Sequence, residues 1–68
     1  MTDKTISNVL NEWVELLKEE REQENMFVKK IIRYRGIEEI CESNEITKSQ
    51  LEYIVDKGKI FINMNLFQ

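Results

Sequence analysis

The chain contains no proline, and its only glycines, Gly36 and Gly58, divide it into three parts. Glycine and proline are the strongest local punctuators of backbone structure, so the expected element boundaries fall at those two positions. From Ile6 the apolar residues Ile6, Leu10, Trp13 and Leu17 recur at alternating steps of four and three, the spacing of one helix face. The same ladder passes through Glu20 and Glu24 and regains apolar residues at Phe27, Ile31 and Tyr34. The phase survives the polar middle. It fits one helix of roughly 30 residues, ~45 Å long, or two helices bent apart near Gln23–Asn25. Because no Gly or Pro forces a break there, the sequence favours the continuous helix, capped at its start by Thr5 or Ser7 and stopped by a left-handed Gly36.

Size limits what such a helix can pack against. A domain of 68 residues buries only about 60% of the surface its unfolded chain exposes. Small domains therefore lean on disulfides, metals or a second subunit. Cys41 is the only cysteine and there is no histidine, so no internal disulfide forms and the Cys/His spacing of a zinc site is missing. The expected support is self-association or a partner. The stripe of Ile6, Leu10, Trp13, Leu17, Phe27 and Ile31 exceeds what the remaining residues can cover, and it is the expected oligomer or partner interface of a homodimer. A lone thiol beside Ile40 suits burial in a reducing cytoplasm. No uninterrupted apolar run exceeds three residues, as in Ile60-Phe61-Ile62, and no export leader is read, so neither export nor membrane spanning is expected.

The net charge of −3, from 10 basic and 13 acidic residues, hides an uneven arrangement. Glu12, Glu15, Glu19, Glu20, Glu22 and Glu24 outweigh Lys18 and Arg21, whereas Lys29, Lys30, Arg33 and Arg35 follow with no acid among them. Such alternation is expected first of a solvated helix face. Beyond Gly36, Ile37, Ile40 and Cys41 mark a short helix, and Ser43-Asn44-Glu45 is turn-like. Thr47-Lys48-Ser49-Gln50 forms a capping box, opening a further helix through Leu51, Ile54 and Val55 that Gly58 is expected to end. Residues 59–68 read as a short strand or an apolar tail folded back.

On a frame of about twenty residues beginning at Ile37, the segment IEEICESNEITKSQLEYIVD resembles the helix-turn-helix DNA-binding regulators. Ile40, Cys41, Ile46, Leu51 and Ile54 stand where that family buries side chains, while Glu45 replaces its usual turn glycine. The resemblance implies a helix presenting Thr47, Lys48, Ser49, Gln50, Glu52 and Tyr53 to a DNA major groove, with Lys57 and Lys59 on phosphate and residues 59–67 as a reduced wing. Against that, Lys48, Lys57 and Lys59 face Glu38, Glu39, Glu42, Glu45, Glu52 and Asp56 in the same half of the chain. A docking element for DNA is normally basic. Upstream, Leu10-Asn11-Glu12-Trp13-Val14-Glu15-Leu16-Leu17 with Ile31 and Tyr34 is similar to the dimerisation segment of the Sin-type antirepressors, which inactivate a helix-turn-helix repressor by pairing with it. Because Phe27-Val28 stands where that family has a Ser-Pro turn, no helical hook is predicted.

The expected architecture is thus a single, mainly α domain over 1–68: an amphipathic dimerisation helix over 1–35, a helix-turn-helix unit over 37–58, and a strand or wing over 59–68. The expected function is a small cytoplasmic regulator that binds double-stranded DNA; the rival is an antirepressor or inhibitor module that docks on a regulatory or host protein. No catalytic constellation, metal-ligand set or cofactor motif is read: there is no glycine-rich phosphate loop, no paired cysteine and no G-x-S-x-G.

Overall fold

A computed structural model describes the backbone of residues 3–66 and side chains through Gly58. Three helices account for most of the described residues: α1 (Asp3–Glu22), α2 (Met26–Asn44) and α3 (Lys48–Leu66). The chain is mainly helical, as expected, but its boundaries lie elsewhere than the glycines.

The continuous helix over 5–35 is not formed. It is interrupted at residues 23–25, where Asn25 takes an extended conformation (φ −80°, ψ 121°) and its Oδ1 accepts from the backbone N–H groups of Phe27 (2.9 Å) and Val28 (3.2 Å). An N-cap asparagine satisfies donors at the start of a helix that would otherwise lack partners, so one side chain breaks the periodic run without glycine or proline. The break turns the expected rod into an antiparallel hairpin of α1 and α2.

Both glycines lie inside helices instead of ending them. Gly36 is in the middle of α2, and a methyl group there would lie 2.7 Å from Leu16 Cδ2 and 3.0 Å from Leu16 Cγ. Gly58, buried in α3, likewise receives the Leu10 side chain. Each glycine is a notch that lets a leucine of α1 approach a neighbouring backbone. Neither adopts positive φ; the only non-glycine residue described that does is Glu45 (φ 55°). That residue closes α2: its N–H donates to Glu42 O (3.3 Å), and the Ile46 N–H donates to Cys41 O (3.0 Å). This paired pattern is the Schellman motif, with glutamate in place of the usual glycine.

The predicted capping box opens α3. The Thr47 N–H donates to Gln50 Oε1 (2.8 Å) and the Gln50 N–H donates to Thr47 Oγ1 (3.1 Å). Helix α3 then runs to Leu66, so the strand or wing expected over 59–68 is not found among the described residues. The Ile60-Phe61-Ile62 run was too short for periodicity to separate helix from strand. Phe67 and Gln68 lie outside the described residues.

The core consists of Val9 and Leu16 from α1, Ile40 from α2, and Leu51, Ile54 and Val55 from α3. Ile6, Leu10, Trp13, Ile32, Ile37, Cys41 and Ile46 pack around it. The molecule is flat, with extents of 33 × 32 × 16 Å and a radius of gyration of 12.6 Å. A typical domain of this length has a radius of gyration of about 11 Å. A body this thin leaves every helix with a face the core does not use.

Candidate functional site: an apolar stripe on the outer face of α2

The expected interface stripe divides in two. Ile6, Leu10 and Trp13 pack around the protein's own core, and Leu17 is half-buried. The tertiary fold is the cause, because α2 folded back onto α1, together with α3, whose Gly58 receives Leu10, supplies intramolecular cover that a single long helix would have lacked. Phe27 and Ile31 stay exposed, at 78% and 57%, and Tyr34 joins them at 62%. Spaced by four and three residues, these three lie along one side of α2. Exposed apolar residues scattered singly are ordinary on any protein, whereas three in a row on one helix form a candidate interaction surface. Tyr34 was visible as a rung of the sequence ladder. Its exposure was not, since that depends on which side of α2 meets α1.

The same packing redistributes the basic cluster. Arg33 reaches back to Glu20 with its Nε 2.9 Å from both carboxylate oxygens and its Nη2 2.8 Å from Oε2, a bidentate pair that ties the two helices near their turn. Its guanidinium also lies 5.0 Å from the centroid of the Trp13 ring. Arg33 is therefore a structural clamp, and Glu20, which interrupts the ladder, is its counter-charge. At the far end of the hairpin Asn44 donates to Glu12. Lys30 and Arg35 remain on the surface flanking the stripe.

On the second expected surface, at the start of α3, Thr47, Lys48, Ser49, Gln50, Tyr53 and Lys57 are exposed. Several of these groups are already engaged. Thr47 and Gln50 hold the capping box. Lys48 Nζ lies 5.3 Å from the Tyr34 ring centroid and 3.9 Å from Glu38, and Lys57 Nζ lies 5.5 Å from the Tyr53 ring. Exposed Glu38, Glu42, Glu45, Glu52 and Asp56 surround them. The Lys59 side chain lies outside the described side chains.

Between α1 and α2 runs an open groove of about 720 Å³, floored by Leu16, Gly36 and Ile40 and walled by Glu12, Glu15, Glu19, Glu22 and Glu39. Cys41 is half-buried, and that burial pushes its thiol pKa up; nearby Lys48 opposes the shift and Glu38 reinforces it. A thiol held neutral is a poor nucleophile. Among the described residues no group of three or more His, Cys, Asp or Glu is placed to hold a metal ion, and no helix is long and apolar enough to cross a membrane. Comparison with protein families, curated proteins and solved structures finds no match.

Proposed function

We propose that this chain is a small helical protein-binding module of the regulator or inhibitor type, which docks on another protein through the outer face of α2. The observation that carries the proposal is the exposed row of Phe27, Ile31 and Tyr34, in a chain whose own described core contains only six buried side chains. Water-exposed aromatic and branched side chains in one register supply the large apolar anchors of a helix-mediated interface, and the exposed Lys30 and Arg35 beside them supply a basic rim. The rim favours partners whose docking segment is acidic around an apolar centre.

A photo-crosslinking residue at position 31, expressed in the cell of origin, tests this against a control at the exposed Asn8 of α1. Position 31 is expected to give a discrete adduct with another polypeptide, and position 8 none. If position 31 yields no adduct with a polypeptide other than the chain itself, the proposal fails.

DNA recognition is the second reading, favoured by one feature: left-handed Glu45 followed by the capping box at Thr47 leads into a helix with an exposed amino-terminal turn. Electrostatics weigh against it, because the few cations there are outnumbered by carboxylates and phosphate neutralisation supplies most non-specific affinity. If α3 docks on a duplex, Lys48, Lys57 and Lys59 neutralise at most about three phosphates per chain, so log affinity falls against log salt with a slope no steeper than roughly −3 per chain. Titration with random duplex DNA is the check. Absence of binding at about 50 mM salt, where electrostatic attraction to the duplex is strong, removes this reading.

A further inference from the structure

The groove between α1 and α2 carries charge that the rest of the fold leaves unbalanced. Glu12, Glu15, Glu19 and Glu22 follow one another at steps of three, four and three along one face of α1, and Glu39 of α2 forms the opposite wall. Among the described residues Lys18 is the one cation in the lining, and its Nζ lies 3.6 Å from Glu15. Glu12 is held by Asn44. Glu19, Glu22 and Glu39 have no ion pair or hydrogen bond among the described residues. Carboxylates three and four residues apart on one helix repel, and Glu19 and Glu22 also stand at the negative end of the α1 dipole. Arg21 offsets the dipole in that last turn but does not line the groove. A row of like charges thus works against α1 with little set against it inside the molecule.

Beneath the carboxylates Leu16, Gly36 and Ile40 make an apolar floor, to which α3 contributes no described residue. We propose that this groove is a docking site for a basic amphipathic helix of another protein, its apolar side on the floor and its lysines or arginines against the two walls. The inference stands apart from the α2 stripe, whose basic rim selects the opposite charge. Sign excludes nucleic acid from the groove, and a linear polyamine would satisfy the carboxylates while leaving the floor wet. The dimensions suit a helix. From Asn11 to Glu22 the lining runs about 17 Å along α1, three turns of an occupant laid beside it. Cations spaced by three and four residues on that occupant meet the glutamates in register, because both helices share the same rise per turn. The volume of about 720 Å³ admits the inward side chains, and the remainder of the occupant stays above the rim. Toward the turn the groove meets a smaller hollow of about 210 Å³, where Arg35 stands with Glu19 and Glu39 and ends the acidic run.

Amide NMR titration of the isotope-labelled full chain tests the site. The probe is a synthetic helix-forming peptide of about four turns, with leucines along one side and lysines flanking them at steps of three and four. It is expected to shift the amides of Glu15, Glu19, Gly36 and Glu39 and leave those of Tyr53 and Lys57 in place, with affinity that falls as salt rises. Versions with glutamate for every lysine or alanine for every leucine, and spermine, are each expected to bind the groove at least about tenfold more weakly. Combined Glu19→Gln, Glu22→Gln and Glu39→Gln should weaken the leucine–lysine peptide by roughly tenfold, about 1.4 kcal/mol. Combined Glu38→Gln, Glu52→Gln and Asp56→Asn remove the same charge outside the groove and should leave affinity within about twofold. Far-UV circular dichroism confirms that both variants stay helical. No binding at millimolar peptide in low salt overturns the inference, as do shifts confined to the α2 stripe. Equal weakening by the two triple variants overturns it too, since net charge alone would then explain binding, and so does spermine or the alanine peptide binding as tightly as the leucine one.

Discussion

Replacing Gly36 by alanine separates two accounts of that glycine, because the structure makes the effect depend on a residue twenty positions away in sequence. Inside a helix, alanine is favoured over glycine by about 0.8–1.0 kcal/mol. Against this, the new Cβ would lie 2.7 Å from Leu16 Cδ2 and 3.0 Å from Leu16 Cγ. Carbon atoms prefer separations of about 3.5–4.0 Å. A rotation of Leu16 can move its terminal methyls, but the Cγ overlap is relieved only by shifting the whole side chain or separating α1 from α2. Overpacking of this kind costs about 1–3 kcal/mol. Gly36→Ala is therefore expected to destabilise the protein by about 1 kcal/mol net. In a Leu16→Ala background the overlap disappears while the helix preference persists, so the same substitution is expected to stabilise by about 1 kcal/mol. The coupling between the two sites is then about 2 kcal/mol, large enough for a double-mutant cycle to resolve.

Leu16→Ala alone costs about 2–5 kcal/mol, comparable to the whole stability of a domain this small, about 3–5 kcal/mol. The urea titrations are therefore best run with trimethylamine N-oxide present to strengthen burial. A helix-terminating, left-handed Gly36 would make alanine unfavourable to the same extent in both backgrounds. Equal urea-midpoint shifts with and without Leu16 would refute the packing argument.

Leu51→Ala and Ile54→Ala, each emptying a site in the core, should destabilise by about 2–5 kcal/mol; unmoved urea midpoints would mean that α3 presents a different face. Glu45→Gly should stabilise by about 1 kcal/mol, because a side chain at positive φ carries a penalty that glycine does not, and a fall in melting temperature would contradict the left-handed turn. Thr47→Ala should cost about 1 kcal/mol by removing the cap hydroxyl, read from the same melts. Cys41, whose thiol pKa is raised by burial, should react with a thiol reagent more slowly in the folded chain than in urea. Its folded pKa lies above the unfolded one, so its contribution is undiminished below the unfolded thiol pKa and declines as pH rises from there through the folded value, where unfolded chains ionise first. Stability that rises over that alkaline window in wild type relative to Cys41→Ala would refute the assignment.

Much of the carboxy-terminal half was legible from local pattern. The Thr47-to-Gln50 box is a contact between near neighbours, so four residues suffice to specify it, and its hydrogen bonds form as read. Leu51 and Ile54 could be placed in the core, and Thr47 through Gln50 on the surface, because helical spacing separates inward from outward once the start of α3 is known. The break at residues 23–25 was also present in the sequence, carried by Asn25, a good N-cap residue whose signal was outweighed by the unbroken apolar phase around it. Phase survives a reversal of the chain, because two helices of a hairpin can each keep the spacing while presenting it to one another.

Other features had no local signature. Val9 and Leu16 are the buried residues of α1, yet the ladder runs through Ile6, Leu10, Trp13 and Leu17; the helix is turned toward its neighbours by contacts with Ile40 and α3 that no window within α1 contains. Glycine alone does not say whether it ends a helix or admits a neighbour's side chain, and Gly36 and Gly58 do the latter because Leu16 and Leu10 arrive from another element. The composition and periodicity of this chain determined that it is helical and that it has more apolar side chains than a core this thin can cover. Only the tertiary structure decided which ones are left over: the turn at Asn25 folds α2 onto α1, uses Ile6, Leu10 and Trp13 internally, and leaves Phe27, Ile31 and Tyr34 facing outward, since the two helices can bury only the sides they turn toward each other and toward α3.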